Sequence, residues 1–316
     1  MPVKPAKIHL LGLLALLGAA AATPSAAQTV APTTASVQTE DDLVVTGRLP
    51  PASLQREIRR FVRGHARLSR IDQLVRWDDP ICVRVMNLPA AYSAFIVNRI
   101  VAVARQAGAP TSDAPECAPN ISIIFTTEAQ AVLDQVRSNA PVLLGYHRIG
   151  ERDALATMTR PIQAWYVTAT GNDLQRAIDD PMYDPPAGVT GSRLTHGLRS
   201  EFVHILILVD ANAVADAPIG PIADYLAMLS LTQLRDETWA CGGLVTVMEL
   251  FSGTCPNAPQ ALTTPDQAFL QGLYTMDDTR IGSLQRGHIA NRMQRALDDA
   301  IADVGLSRSN PAANRQ

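Results

Sequence analysis

The stretch "EFVHILILVD", Glu201–Asp210, decides the fold. It is an almost unbroken run of Val, Ile, Leu and Phe. A strand that is apolar on both sides must be covered on both sides, which places it centrally in a mostly parallel sheet between helices. Shortly after it comes "IADYLAMLSL", Ile222–Leu231, where Ile222, Leu226 and Leu229 form one apolar stripe of a helix predicted over 219–232.

Working outward, the same pattern repeats. "ICVRVMNL" (81–88) alternates and reads as a strand. "AAYSAFIVNRIVAVARQAG" (90–108) reads as a helix with the stripe Phe95, Ile96, Ile100 and Val103, stopped by Gly108. A strand over 120–127 and a helix over 128–138 follow, then a strand over 162–170 closed by Gly171 and Asn172. The last third is helical, over 265–275 and 283–303. Thr264 is the expected cap of the first of these, with Pro265 in the first turn and Gln267 reaching back. The expected class is α/β (α+β): a mixed, mostly parallel sheet with flanking helices and a helical C-terminal part. One domain is expected over 51–304, with a disordered tail over 305–316.

The N-terminus reads as a processing signal. Lys4 and Lys7 precede an apolar run, and Ser25-Ala26-Ala27 offers a small-residue cleavage site, so residues 1–27 are the expected signal peptide and Gln28 the mature start. Export to the periplasm of a Gram-negative bacterium follows as the expectation. Later apolar runs are too short to span a bilayer. Loss of the two lysines takes the formal charge from −3 to −5 (−3 − 2), which disfavours nucleic acid as a partner. Residues 28–50, rich in Thr, Ala and Pro, read as a flexible leader. Within them "EDDLVVTGR" (40–48) resembles the Val-Val-Thr-Gly segment near the mature N-termini of TonB-dependent outer-membrane receptors, although the chain is too short for a receptor barrel.

Four cysteines in an exported chain read as two disulfides, with three pairings open. The sequential one, Cys82–Cys117 with Cys241–Cys255, is preferred because each pair brackets a compact unit. None of the four is close enough to another for a zinc–cysteine site. Residues 52–75 read as a helix that packs through Leu54, Ile58, Phe61 and Val62. Arg56, Arg59, Arg60, Arg63, Arg67 and Arg70 fall along one side, where a phospholipid headgroup or wall polymer could dock.

The helix at 219–232 resembles the active-site helix of the zincin metallopeptidases, His-Glu-x-x-His-x-x-Gly. Ala223 and Ala227 stand at the two His positions, Asp224 at the Glu and Ser230 at the Gly. The third metzincin ligand, ten residues after the first, falls at Gln233. "GLVTVMELF" (243–251) resembles the metzincin turn that sets a Met beneath the metal, here Met248. "ALTTPDQAFLQGLYTM" (261–276) resembles the closing helix of matrixin-like metzincins through Leu262, Thr263, Asp266, Leu273 and Tyr274. The resemblance implies a zincin-like fold over about 80–304 without zincin chemistry. Alanine offers no lone pair, Gln233 is a poor zinc ligand, and Asp224 is one methylene short of the usual base. It implies no cofactor, and a peptide or envelope component held in the groove beside the sheet.

Two other readings stand beside this one. A hydrolase could use His147, His204, Glu201 and Asp224. Alternation puts Glu201 and His204 on opposite faces of their strand, with His204 buried and hydrogen-bonded beside Leu206 and Leu208. A polar cluster of Arg193, Arg199 and Glu201 would then mark the strand's entrance. His65 and His288, on Arg-rich helices, are expected to be exposed. The third reading is a structural envelope protein docked through the Arg side of 52–75.

Overall fold

The computed structural model describes residues 51–112, 116–145, 149–171, 197–235, 241, 243–253 and 255–309. In chain order they form α1 (Pro51–His65), β1 (Val83–Met86), α2 (Ala90–Ala107), β2 (Ile121–Thr126), α3 (Ala129–Asn139), α4 (Ile149–Leu155), β3 (Ile162–Gly171), β4 (Arg199–Asp210), α5 (Ile219–Leu231), α6 (Thr264–Thr275) and α7 (Gly282–Ser309). Single 3-10 turns cover Pro141–Leu144 and Val247–Phe251.

The sheet order is β1-β2-β4-β3. β1, β2 and β4 are parallel, and β3 runs antiparallel to β4 at the edge. The fold is therefore α/β with a mixed, mostly parallel sheet and a helical C-terminal part. β4 lies between β2 and β3, and both its faces are covered. Ile205, Ile207 and Val209 join the larger core with α1, α2, α5, α6 and α7. Leu206 and Leu208 join a smaller one with Leu133, Leu144, Ala156 and Trp165.

α2 stops where glycine allows it. Gly108 adopts φ 86°, and its N–H returns to the last carbonyls of the helix. Its buried residues are Ile96, Ile100, Val103, Ala104 and Ala107, whereas Phe95, expected in that stripe, is exposed. α1 is shorter than predicted and ends at His65, not at 75. Gln73, Leu74, Val75 and Trp77 are all buried. A helix cannot turn so many near-consecutive residues inward, so the chain leaves helical geometry after Ala66 and Asp72 takes φ 56°. α6 is capped by Thr263, not Thr264, and the reciprocal partner is Asp266 rather than Gln267. α7 passes the expected boundary at 304 and continues to Ser309. At Gly272 a β-carbon would come 2.9 Å from the Ile289 Cα, so glycine there lets α6 and α7 meet backbone to backbone.

Disulfides join Cys82 to Cys117 and Cys241 to Cys255, the sequential pairing. The first ties the start of β1 to the segment before β2, and the second encloses the turn that carries Met248. Among the described residues no helix is long and apolar enough to cross a membrane.

α5 is buried along almost its whole length, from Pro221 to Leu231. Its last carbonyls cannot reach water, and three aromatic donors meet them instead. Tyr166 Oη donates to Leu229 O at 3.2 Å, Trp77 Nε1 to Ser230 O at 2.7 Å and Tyr274 Oη to Leu231 O at 2.8 Å. Removing one donor strands a buried carbonyl, which costs about 1–3 kcal/mol. Tyr274→Phe keeps the ring and deletes only that donor. It is expected to lower unfolding free energy by about that amount in urea titration; an unchanged midpoint would show that the carbonyl finds another partner.

Candidate functional site

The two alanines at the zincin His positions face no cleft. Ala223 and Ala227 are both 0% exposed and packed in the larger core. Asp224 is buried as well and is committed to structure. Its carboxylate is gripped by the Arg99 guanidinium of α2 and also accepts from Leu262 N at 2.9 Å, clasping α2, α5 and the approach to α6. The hydrogen bond from Arg99 to Asp224 raises the already high pKa of the guanidinium. The assignment of Ala223, Asp224 and Ala227 as the remains of an open site is therefore corrected. The physical reason is that α5 is apolar almost all round, so its sequence does not encode which side meets the cleft.

Other residues of α5 meet a cleft. A cleft of about 300 Å³ runs between β3 and the end of α5. Leu155, Ile162, Ala164 and Tyr166 line one wall, and Tyr225, Leu229 and Leu234 the other. Met248, the guanidinium-bearing Arg160 and Arg235, and the polar Thr157, Thr159 and Gln163 also line it. Tyr225, Leu229 and Arg235 keep the steps of four and six that separate Ala223, Ala227 and Gln233. No His, Cys, Asp or Glu is among the lining residues, and no cluster of such residues suited to a metal occurs among the described residues. The residues present do not fit a zinc ion. Burial pushes the Tyr225 phenol up to about 12, with the Arg160 charge pulling the other way. Its ring stands edge-on to Phe251, centroids 5.2 Å apart.

Met248 is held in place by Asp266. This carboxylate, 0% exposed, accepts from Thr246 Oγ1 at 2.6 Å, Val247 N at 2.9 Å, Thr263 N at 3.0 Å and Thr263 Oγ1 at 2.9 Å. Burial drives its pKa up even though all four donors oppose the shift. The network reaches α1 through His65. This ring is not at the surface, contrary to its place on an Arg-rich helix; it is 2% exposed and stacks on Phe61 at 3.7 Å. Its Nδ1 lies 2.9 Å from Phe61 O and its Nε2 3.4 Å from Thr246 Oγ1. Donation to that carbonyl places the hydrogen of the neutral ring on Nδ1, and because the Thr246 hydroxyl hydrogen goes to Asp266, Nε2 and Thr246 Oγ1 meet as a packing contact without a hydrogen between them. A helical i, i+4 contact with Phe61 is readable in the sequence; a partner at position 246 is not.

Of the alternative hydrolytic residues, Asp224 is set apart from Glu201 and His204. The register of β3 against β4 slips between Val167 and Thr168, which leaves Val203 as an extra residue. The slip reverses the alternation, so Glu201 and His204 share a face instead of opposing each other. Asp224 lies on the other side of the sheet, and His147 lies outside the described residues. His204 is half-buried, not fully enclosed. Its Nε2 has no hydrogen-bond partner, and desolvation lowers its pKa. Arg193 is also outside the described residues. Arg199 faces Asp78 at 3.5 Å and Asp278 at 3.8 Å, and Arg76 donates to Asp278 at 2.8 Å. Arg76, Arg199, Asp78 and Asp278 thus form an ion-pair network at the strand's entrance.

Burial lowers the His65 pKa from 6.5 to about 3. Between those values the unfolded chain takes up a proton that the folded chain refuses. Acidification therefore favours unfolding, by about 1.4 kcal/mol per pH unit across that window. His65→Phe removes this contribution. The loss of stability from pH 7 to pH 5, measured by urea titration, is expected to be smaller in the variant by roughly 2 kcal/mol. Equal losses would mean that the folded protein protonates His65 freely.

Comparison with protein-family profiles, with curated proteins and with solved structures finds no match to this chain.

Proposed function

We propose that this is an exported binding protein with a zincin-like scaffold, which holds an extended peptide in the cleft between β3 and α5 and performs no metal-dependent hydrolysis. The observation that carries the reading is the cleft lining. Tyr225, Leu229 and Arg235 stand at the metzincin ligand spacing beside Met248, and none is an ordinary zinc ligand. Three further features support it. The strand–helix–strand order of β1, α2 and β2 is the one that a zincin-like N-terminal half calls for. Asp266, part of the matrixin-like segment, is bonded to the turn that bears Met248. Two disulfides are compatible with an exported protein, and the periplasm is the compartment proposed.

The cleft chemistry defines the peptide. Leu155, Ile162, Leu229 and Met248 suit an apolar side chain. Arg160 and Arg235 suit a carboxylate, either an acidic residue or a C-terminus. The hydrolytic reading through His204, Glu201 and Asp224 loses ground because the sheet separates Asp224 from the other two.

Fluorescence polarisation with a labelled library of short peptides, each with an apolar residue next to a terminal carboxylate, tests the proposal. Saturable binding is expected. Arg235→Gln should weaken it by about tenfold, the loss of one charge-assisted hydrogen bond. Ala164→Trp should block it by filling the groove. Elemental analysis of the same preparation separates binding from catalysis. Stoichiometric zinc with cleavage of the bound peptide would overturn the proposal, as would binding indifferent to both substitutions.

A further inference from the structure

A second cavity, of about 420 Å³, lies between α1 and α7. From α1 come Gln55, Ile58, Arg59, Val62 and Arg63, and from α7 Ser283, Arg286, Gly287, Ala290, Asn291 and Gln294. Each set follows helical three- and four-residue steps, so each helix presents one continuous strip to the groove. Ile58, Val62 and Ala290 supply apolar surface. Amides and a hydroxyl supply hydrogen bonds. Three guanidinium-bearing residues, and no acidic residue, complete the lining.

The positive charge is poorly compensated. Among the described residues no ion pair engages Arg59 or Arg63, and the one glutamate nearby on α1, Glu57, is bound to Arg60 at 2.8 Å. Arg286 donates through Nη2 to Ala66 O at 2.8 Å, while its buried Nε has no partner. Desolvation lowers the Arg286 pKa. The charges of Arg235 and Arg63 add to that effect, and Asp72 alone opposes it. Arg235 also donates to Arg63 O at 3.4 Å, so a fourth cation adjoins the groove. Three guanidinium-bearing residues along one groove, with Asp72 the one carboxylate acting on Arg286, match a multiply charged oxyanion better than a single carboxylate. The apolar surface gives such an anion an organic body to carry.

We propose that the groove between α1 and α7 is a binding site for a phosphate group borne on an apolar body, held by Arg59, Arg63 and Arg286. The chemistry is shared by a phospholipid headgroup and a free organic phosphate. The groove and the peptide cleft have no lining residue in common, although Arg235 of the cleft adjoins the groove, and the proposal does not depend on the peptide reading.

Gly287 gives the site a clean test. A β-carbon there meets no atom within 4 Å, and its backbone angles are ordinary, so a larger side chain projects into the groove. Gly287→Leu should fill the cavity while favouring the helix. Arg59→Gln with Arg63→Gln removes two charges from exposed positions. The probes are dihexanoyl phosphatidic acid in solution, inorganic phosphate, and phosphatidylcholine vesicles doped with phosphatidylglycerol, with titration calorimetry for the first two and co-sedimentation for the vesicles.

Dihexanoyl phosphatidic acid is expected to bind saturably, with inorganic phosphate as a weaker competitor. The double variant should lose about tenfold or more in affinity, and Gly287→Leu should abolish binding. Melting temperatures at or above wild type will show that the variants are folded. Vesicle capture that both variants abolish assigns the phosphate to a lipid, whereas soluble binding without vesicle capture assigns it to a free organic phosphate. Absence of saturable binding to dihexanoyl phosphatidic acid, or binding that neither variant alters, overturns the proposal.

Discussion

The structure depends on a helix that has no solvent side near its end. α5 sinks into the core, and the carbonyls of its last turn must be satisfied by protein. Tyr166 on β3, Trp77 on the segment after α1 and Tyr274 on α6 each supply one donor. These three contacts fix the edge strand, the N-terminal segment and a C-terminal helix against the same point. Asp224 and Arg99 do the same for α2 at the other end. The position of the cleft follows from this arrangement, because it is what remains open once α5 has been clamped on every other side.

A second buried carboxylate sets the floor of the cleft. Asp266 binds its own helix cap and the turn 246–248 simultaneously. His65 closes the chain of contacts from α1. A neutral imidazole, a hydroxyl and a carboxylate thus lie in one dry network that joins regions far apart in sequence. The hydrogen bonds that Asp266 accepts from Thr246, Val247 and Thr263 specify one arrangement of the turn rather than several.

Much of this was readable from local patterns. β4 announced its central place through Ile205–Val209, apolar on both faces, and Gly108 marked the end of α2. The strand expected over 120–127 and the helix expected over 265–275 match β2 and α6 to within a residue at each end. The features that escaped have physical reasons. The slip at Val203 leaves no mark in a run where every residue suits a strand, yet it reverses the side on which Glu201 lies. The end of α1 was hidden because arginines continue at helical spacing past His65, while the burial of Gln73 and Trp77 is a tertiary demand. Which side of α5 meets the cleft is a matter of packing direction. Leu226 and Leu229 look alike to any hydrophobic scale, but one is enclosed and the other faces the opening.

The link between Cys82 and Cys117 has a kinetic consequence. It closes a loop of 35 residues that contains β1 and all of α2 and ends just before β2. Parallel strands are slow to find each other because a long crossover must close before any ladder bond forms. In the oxidised chain that entropy, about 4 kcal/mol, is already spent in the denatured ensemble. The first parallel pair then forms as a nearly local event, and the remaining search is for β4 to dock on an edge that already exists.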